Sequence, residues 1–134
     1  MKRLLVVLSL AVSAFAADDR QSDREAIRAH LDRIFQGFIK KNAAELRATH
    51  HQNWRGFLEG SRGIIKGIDG YMRASTPDPN SPYGMKAYNL REFDIVFYGD
   101  TAFVSFVADL EALSTSGMVK RALRRSQSTT MRVA

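Results

Sequence analysis

Three histidines, one tryptophan and no cysteine bound the chemistry open to this 134-residue chain. His50 and His51 are adjacent, and side chains next to each other on a helix or strand point apart. The pair cannot close on one metal ion, and no His-Glu-x-x-His spacing stands in for it. His30 sits on the flank of a helical pattern, one residue from the core position Leu31. No metal is therefore expected, and without cysteine there is neither a thiolate site nor a thiol nucleophile. A phosphate-binding glycine loop, a nucleophile elbow and a serine triad signature are all missing, so no cofactor is expected either. What remains is a set of soft and aromatic residues: His50, Trp54, Phe57, Tyr71, Met72 and Tyr88. Such types line small-molecule pockets, and they equally fill an ordinary core. Proton transfer, as in an isomerase- or hydrolase-like enzyme, would need a positioned acid or base. His50 or His51 with Tyr71 or Asp109 is the set that approaches this. Asp69 reads as a helix cap and Asp32 as a surface charge, and no base–oxyanion pair emerges.

The elements that must position these residues centre on Arg91 to Leu110. Phe93, Ile95 and Phe97 alternate with Asp94, Val96 and Tyr98, and Gly99-Asp100 supplies a two-residue type II′ loop. That loop sets Phe97 opposite Ala102, Ile95 opposite Val104 and Phe93 opposite Phe106, all on one apolar face. The other face carries Val96, Phe103 and Val107 beside Asp94 and Ser105. It is too apolar for water and too polar for a core, which suits a homodimer contact through the sheet. Upstream, Ser22-Asp23-Arg24-Glu25 has the form of a capping box. Ile27, Leu31, Ile34, Phe35 and Phe38 follow at helical spacing, predicting a helix from about Asp23 to Lys40. Asn42 caps a second helix to about His50, and a third is expected from Ile68 to Ala74. All three prolines fall between Ser75 and Pro82, a loop. One further strand is expected around Met118 to Arg125. Helices followed by a meandering antiparallel sheet make an α+β fold, with the helices packed on one sheet face.

The chain opens on Met1-Lys2-Arg3, an apolar run from Leu4 to Val12, and Ser13-Ala14-Phe15-Ala16-Ala17. This is the form of a secretory signal peptide over residues 1–16, so a secreted or periplasmic location is expected. The run is too short to span a bilayer, and no stable membrane insertion is expected once it is removed. Residues 17–113 then form one domain, with 114–134 a basic tail or extra strand. The formal charge of +6 shrinks when mapped. Lys2 and Arg3 belong to the leader, while Lys120, Arg121, Arg124, Arg125 and Arg132 lie in the tail without an acid. The body between is nearly neutral, so no nucleic-acid partner is expected.

The order of elements resembles the SnoaL-like branch of the nuclear transport factor 2-like superfamily. The likeness rests on Ile27, Leu31, Ile34 and Phe38, on Asn42-Ala43-Ala44-Glu45-Leu46, and on Trp54. Gly67-Ile68-Asp69-Gly70-Tyr71, Phe93-Asp94-Ile95 and Tyr98-Gly99-Asp100-Thr101-Ala102-Phe103-Val104 complete it. The resemblance implies a cone, a strongly curved sheet wrapped on the helices, with an apolar pocket at its mouth for a small apolar ligand. Trp54, Phe57, Tyr71, Met72 and Tyr88 would line that mouth, with one of His50 and His51. Such domains end on a closing strand carrying tryptophan and histidine. From Met118 to Ala134 there is no aromatic residue, so that strand is expected to be missing here.

Overall fold

The computed structural model describes residues 20–130; the leader expected at residues 1–16 lies outside the described residues. Helix α1 spans Gln21–Ile39 and α2 Ala43–Ala48. A two-stranded hairpin, β1 (Arg55–Gly56) and β2 (Ile65–Lys66), precedes α3 (Gly67–Ser75). Three long strands follow: β3 (Gly84–Tyr98), β4 (Thr101–Ser114) and β5 (Gly117–Thr130). They form an antiparallel sheet in the order β3-β4-β5, separate from the β1–β2 pair. The class is α+β, with N-terminal helices packed on one face of the sheet.

Helix α1 buries the expected stripe, Ile27, Leu31, Ile34 and Phe35, against Ile95, Ala102, Val104, Phe106 and Ala108. Phe38 and Phe93 pack at the margin of that cluster. The helix begins two residues earlier than the capping-box pattern places it. Ser22 is already helical, Arg20 is the N-cap, and no side chain caps the end. Tertiary contacts hold this end instead. Arg24 donates to the Ile95 carbonyl at 2.9 Å and Arg20 to the Gly99 carbonyl at 3.1 Å, and both guanidinium groups lie over the Phe97 ring. At the other end the Lys41 N–H bonds to the Phe38 carbonyl and the Asn42 N–H to the Gly37 carbonyl, with Lys41 at φ 52°. This is a Schellman ending with lysine in the position glycine usually takes. Asn42 then caps α2, accepting from the Glu45 amide at 3.1 Å as expected. Helices α1 and α2 touch closely there: a Cβ on Gly37 would lie 2.9 Å from Leu46 Cδ2.

Around the Gly99-Asp100 turn the register is the expected one, Phe97 with Ala102, Ile95 with Val104, Val96 with Phe103 and Asp94 with Ser105. Gly99 takes φ 58° while Asp100 does not take a positive φ, as a type II′ loop requires. The register then slips. A bulge between Arg91 and Asp94, with Glu92 at φ 57°, displaces the expected Phe93–Phe106 backbone pairing, although the two rings still stack at 5.7 Å. A second slip lies between Met85 and Ala87. Each bulge swaps which alternate residues face the helices. Odd positions 93, 95 and 97 face inward before the first slip, even positions 88 and 90 after it, and Met85 after the second. Two further expectations change. Val107, placed on the outer face, is only 7% exposed, so it does not join an outward patch. Strand β5 pairs with β4 from Gly117 to Thr130, well beyond the expected end at Arg125.

Candidate functional site

The end of α2 and the start of α3 bring three of the expected pocket residues together. Thr49 closes α2 and is buried, its hydroxyl donating to the Leu46 carbonyl at 2.9 Å. His50 follows, and its Nδ1 donates to the same carbonyl at 2.8 Å while lying 3.1 Å from the Thr49 hydroxyl. Its ring packs on Tyr71 with centroids 4.0 Å apart, and Trp54 lies 4.7 Å from Tyr71. Trp54 is set by a turn in which its amide bonds to the His51 carbonyl, and its own carbonyl accepts from Gly67 at the start of α3. Tyr71 is buried on α3. The rings pack on one another at contact distance, filling the space between helices.

His30 belongs to this cluster, which its flank position on α1 does not reveal. Its ring bonds to the Thr49 backbone, and it lies near enough to disfavour a charge on His50. Burial pushes both histidines below the usual imidazole range. The Thr49 and Leu46 carbonyls partly oppose this, and Arg33 adds to the lowering at His30. The one legible signal is that His30 borders the stripe of Ile27, Leu31 and Ile34, where a polar residue meets the next element.

The other expected residues lie elsewhere. Phe57 is 64% exposed in the loop after β1. Met72 packs at the edge of the main core. Tyr88, turned inward by the bulge, stacks on Phe35 at 5.1 Å; its hydroxyl donates to Asp32 and accepts from Gln36 at 3.0 Å. Burial first, and then the Asp32 carboxylate, raise the Tyr88 pKa. Asp32 is exposed on the helix surface, as expected, and its carboxylate accepts this bond. Asp69, expected as a cap, sits inside the first turn of α3 and pairs with Arg47 at 2.7 Å. Asp109 faces outward and is gripped by Arg91 at 2.7 Å, which holds its carboxyl below the usual range. His51 is exposed and its Nδ1 accepts from the Asn53 amide.

Between α1 and β3 lies an open cleft of about 760 Å³. Asp32, Gln36 and Tyr88 supply its polar groups, Ile39, Leu90 and Phe93 its apolar wall, and Arg28 and Lys86 its rim. Neither His50, Trp54 nor Tyr71 lines it. Among the described residues no group of three or more histidine, aspartate or glutamate side chains is placed to hold a metal ion.

No family model matches the chain, and no curated protein matches it in sequence. Its fold does have counterparts. A structure from Catenulispora acidiphila superposes with a TM-score of 0.70 at 9% identity, covering 86% of this chain and 84% of that one. The CaMKII hub of S. rosetta superposes with a TM-score of 0.65 at 14% identity, covering 81% of this chain and 83% of that one. At such identities the likeness speaks to architecture. The chain has a nuclear transport factor 2-like fold.

Proposed function

We propose that this chain is an exported SnoaL-like domain that self-associates through the outer face of its sheet. The observation that carries the reading is the apolar patch near the Gly99-Asp100 turn. Tyr98 is 70% and Phe103 44% exposed, Val96 is exposed beside them, and Asp94 and Ser105 share the face. A sheet face of that composition fits a two-fold contact in which the same patch meets itself. Likeness to a CaMKII hub supports self-association, and the pattern from Met1 to Ala17 supports export. The enzyme alternative finds less support. His50 is bonded to a carbonyl instead of a carboxylate, and Asp109 is already taken by Arg91. Sedimentation tests the proposal: the parent should be a dimer at micromolar concentration, and Phe103→Glu a folded monomer. A parent that sediments as a monomer would refute it.

A second reading, binding of a small apolar ligand within the cone of a SnoaL-like domain, is favoured by the cleft beside Tyr88. The cleft is open to solvent. Its wall of Ile39, Leu90 and Phe93 supports a shallow apolar contact beside the Asp32, Gln36 and Tyr88 side chains, which bond to one another.

A further inference from the structure

The β1–β2 hairpin takes no part in that self-association, and its composition suits a different contact. Arg55 pairs with Lys66 and Gly56 with Ile65. One more step of the same register sets Phe57 beside Ile64, and alternation puts both on the side that carries Arg55 and Lys66. The opposite side is turned into the protein. A Cβ on Gly56 would lie 2.9 Å from the Trp54 ring, and Ile65 Cγ2 lies 3.1 Å from where a Cβ on Gly70 would stand. On the outward side Phe57 and Ile64 are 64% and 56% exposed. The tip is stiff. The Ser61 amide donates to the Leu58 carbonyl at 3.0 Å, Gly60 takes φ 80° as a type II turn needs, and the Ser61 hydroxyl bonds back to Leu58 twice.

Charge is arranged round this tip with one sign. Arg55, Arg62 and Lys66 are exposed, and among the described residues none of them is in an ion pair. The single acid of the segment, Glu59, is held by Arg121 of β5. Phe57 and Ile64 stand at the outer end of the two short strands, with Arg55 and Lys66 behind them and Arg62 in the loop that joins them. This set matches a bilayer interface: acyl chains against the apolar pair, anionic headgroups against the cations. A second copy fits less well, because a two-fold contact would set each cationic collar against itself. We propose that the β1–β2 hairpin docks the protein on anionic lipid, with Phe57 and Ile64 inserted and Arg55, Arg62 and Lys66 against the headgroups. The contact is peripheral; among the described residues no helix is long and apolar enough to cross a membrane.

Vesicle flotation tests this with the chain as isolated from an exporting host. Vesicles of mixed phosphatidylglycerol and phosphatidylcholine should carry the protein at about 0.1 M salt and release it as salt screens the collar. Phosphatidylcholine alone should not carry it. Phe57→Ser with Ile64→Ser should weaken binding roughly tenfold or more. Arg62→Gln or Lys66→Gln, which leave the apolar tip intact, should each weaken it about fivefold. Placed in the Phe103→Glu background, the same hairpin substitutions should weaken binding by the same factors, which separates this contact from the sheet patch. All these positions are exposed, and an unchanged far-ultraviolet circular dichroism spectrum confirms folding. Equal binding to neutral vesicles, or hairpin variants that bind like the parent, would overturn the proposal. So would hairpin variants that change the sedimentation coefficient while leaving flotation intact, since that outcome assigns the tip to a protein partner.

Discussion

The chain builds two hairpins, and they put their apolar side chains to opposite uses. In β3–β4, Ile95, Val104 and Phe106 disappear under α1. In β1–β2, Phe57 and Ile64 stand outward at the end of two-residue strands, and only Ile65 and the bare face of Gly56 turn inward. The first hairpin is long enough to form a layer that a helix can cover; the second is too short to bury both of its sides. Apolar residues in the one therefore contribute to stability, whereas in the other they are available for contact with something else.

The sharpest way to break this contrast is to truncate a ring in each. Phe106→Ala should cost roughly 3–5 kcal/mol, because the ring is buried between Phe35 and Phe93. Phe57→Ala should stay within about 0.5 kcal/mol, as for an exposed side chain. Urea denaturation of the two variants measures both, and similar losses would mean that the short hairpin is part of the core. A gentler comparison uses glycine. Gly37→Ala must push Leu46 aside, and should cost about 1–3 kcal/mol despite the better helix propensity of alanine. Gly63→Ala meets nothing within 4 Å, so its denaturation midpoint should barely move.

The smallest effect lies at the seam between the two regions, where His50, Trp54 and Tyr71 join α2 to α3. Folding lowers the proton affinity of His30 and His50, so the unfolded chain binds more protons as the solution is acidified. Their contribution to stability is whole above the ordinary value of 6.5 and is lost as pH falls from there through the lower folded-state values. Urea midpoints followed from neutral pH to about 5.5 should decline, and less so in His50→Gln. A His50→Gln profile parallel to that of the parent would remove the histidine from this role.

The long hairpin was legible because a glycine in a two-residue loop and strict alternation impose the same register on Val96, Phe97, Ala102 and Phe103. The first helix was legible from its stripe, though not its start. Ser22 and Glu25 fit a capping box, but the pull of Arg20 and Arg24 on Gly99, Ile95 and Phe97 comes from residues far along the chain. The bulge was hidden because Glu92 takes a positive φ without being glycine or asparagine. That one residue also explains why Tyr88 left the expected set and met Asp32 and Gln36. His50, Trp54 and Tyr71 could be named but not joined to His30, since their meeting depends on the corner between α1 and α2.

The paired slips in β3 make the strand behave like a signal whose phase is inverted twice. Deleting Glu92 would remove the first slip and keep every pairing beside it, Arg91 with Val107 and Asp94 with Ser105, so Tyr88 and Leu90 would still face the helices. Deleting Lys86 would do the same for the second slip, with Met85 still opposite Ala112 and Ala87 opposite Glu111. The same loss at a paired position such as Asn89 would turn a neighbour, Tyr88 or Leu90, outward. A lost residue in this strand therefore matters by its place: the two extra ones can go without changing which side chains face inward, and the paired ones cannot.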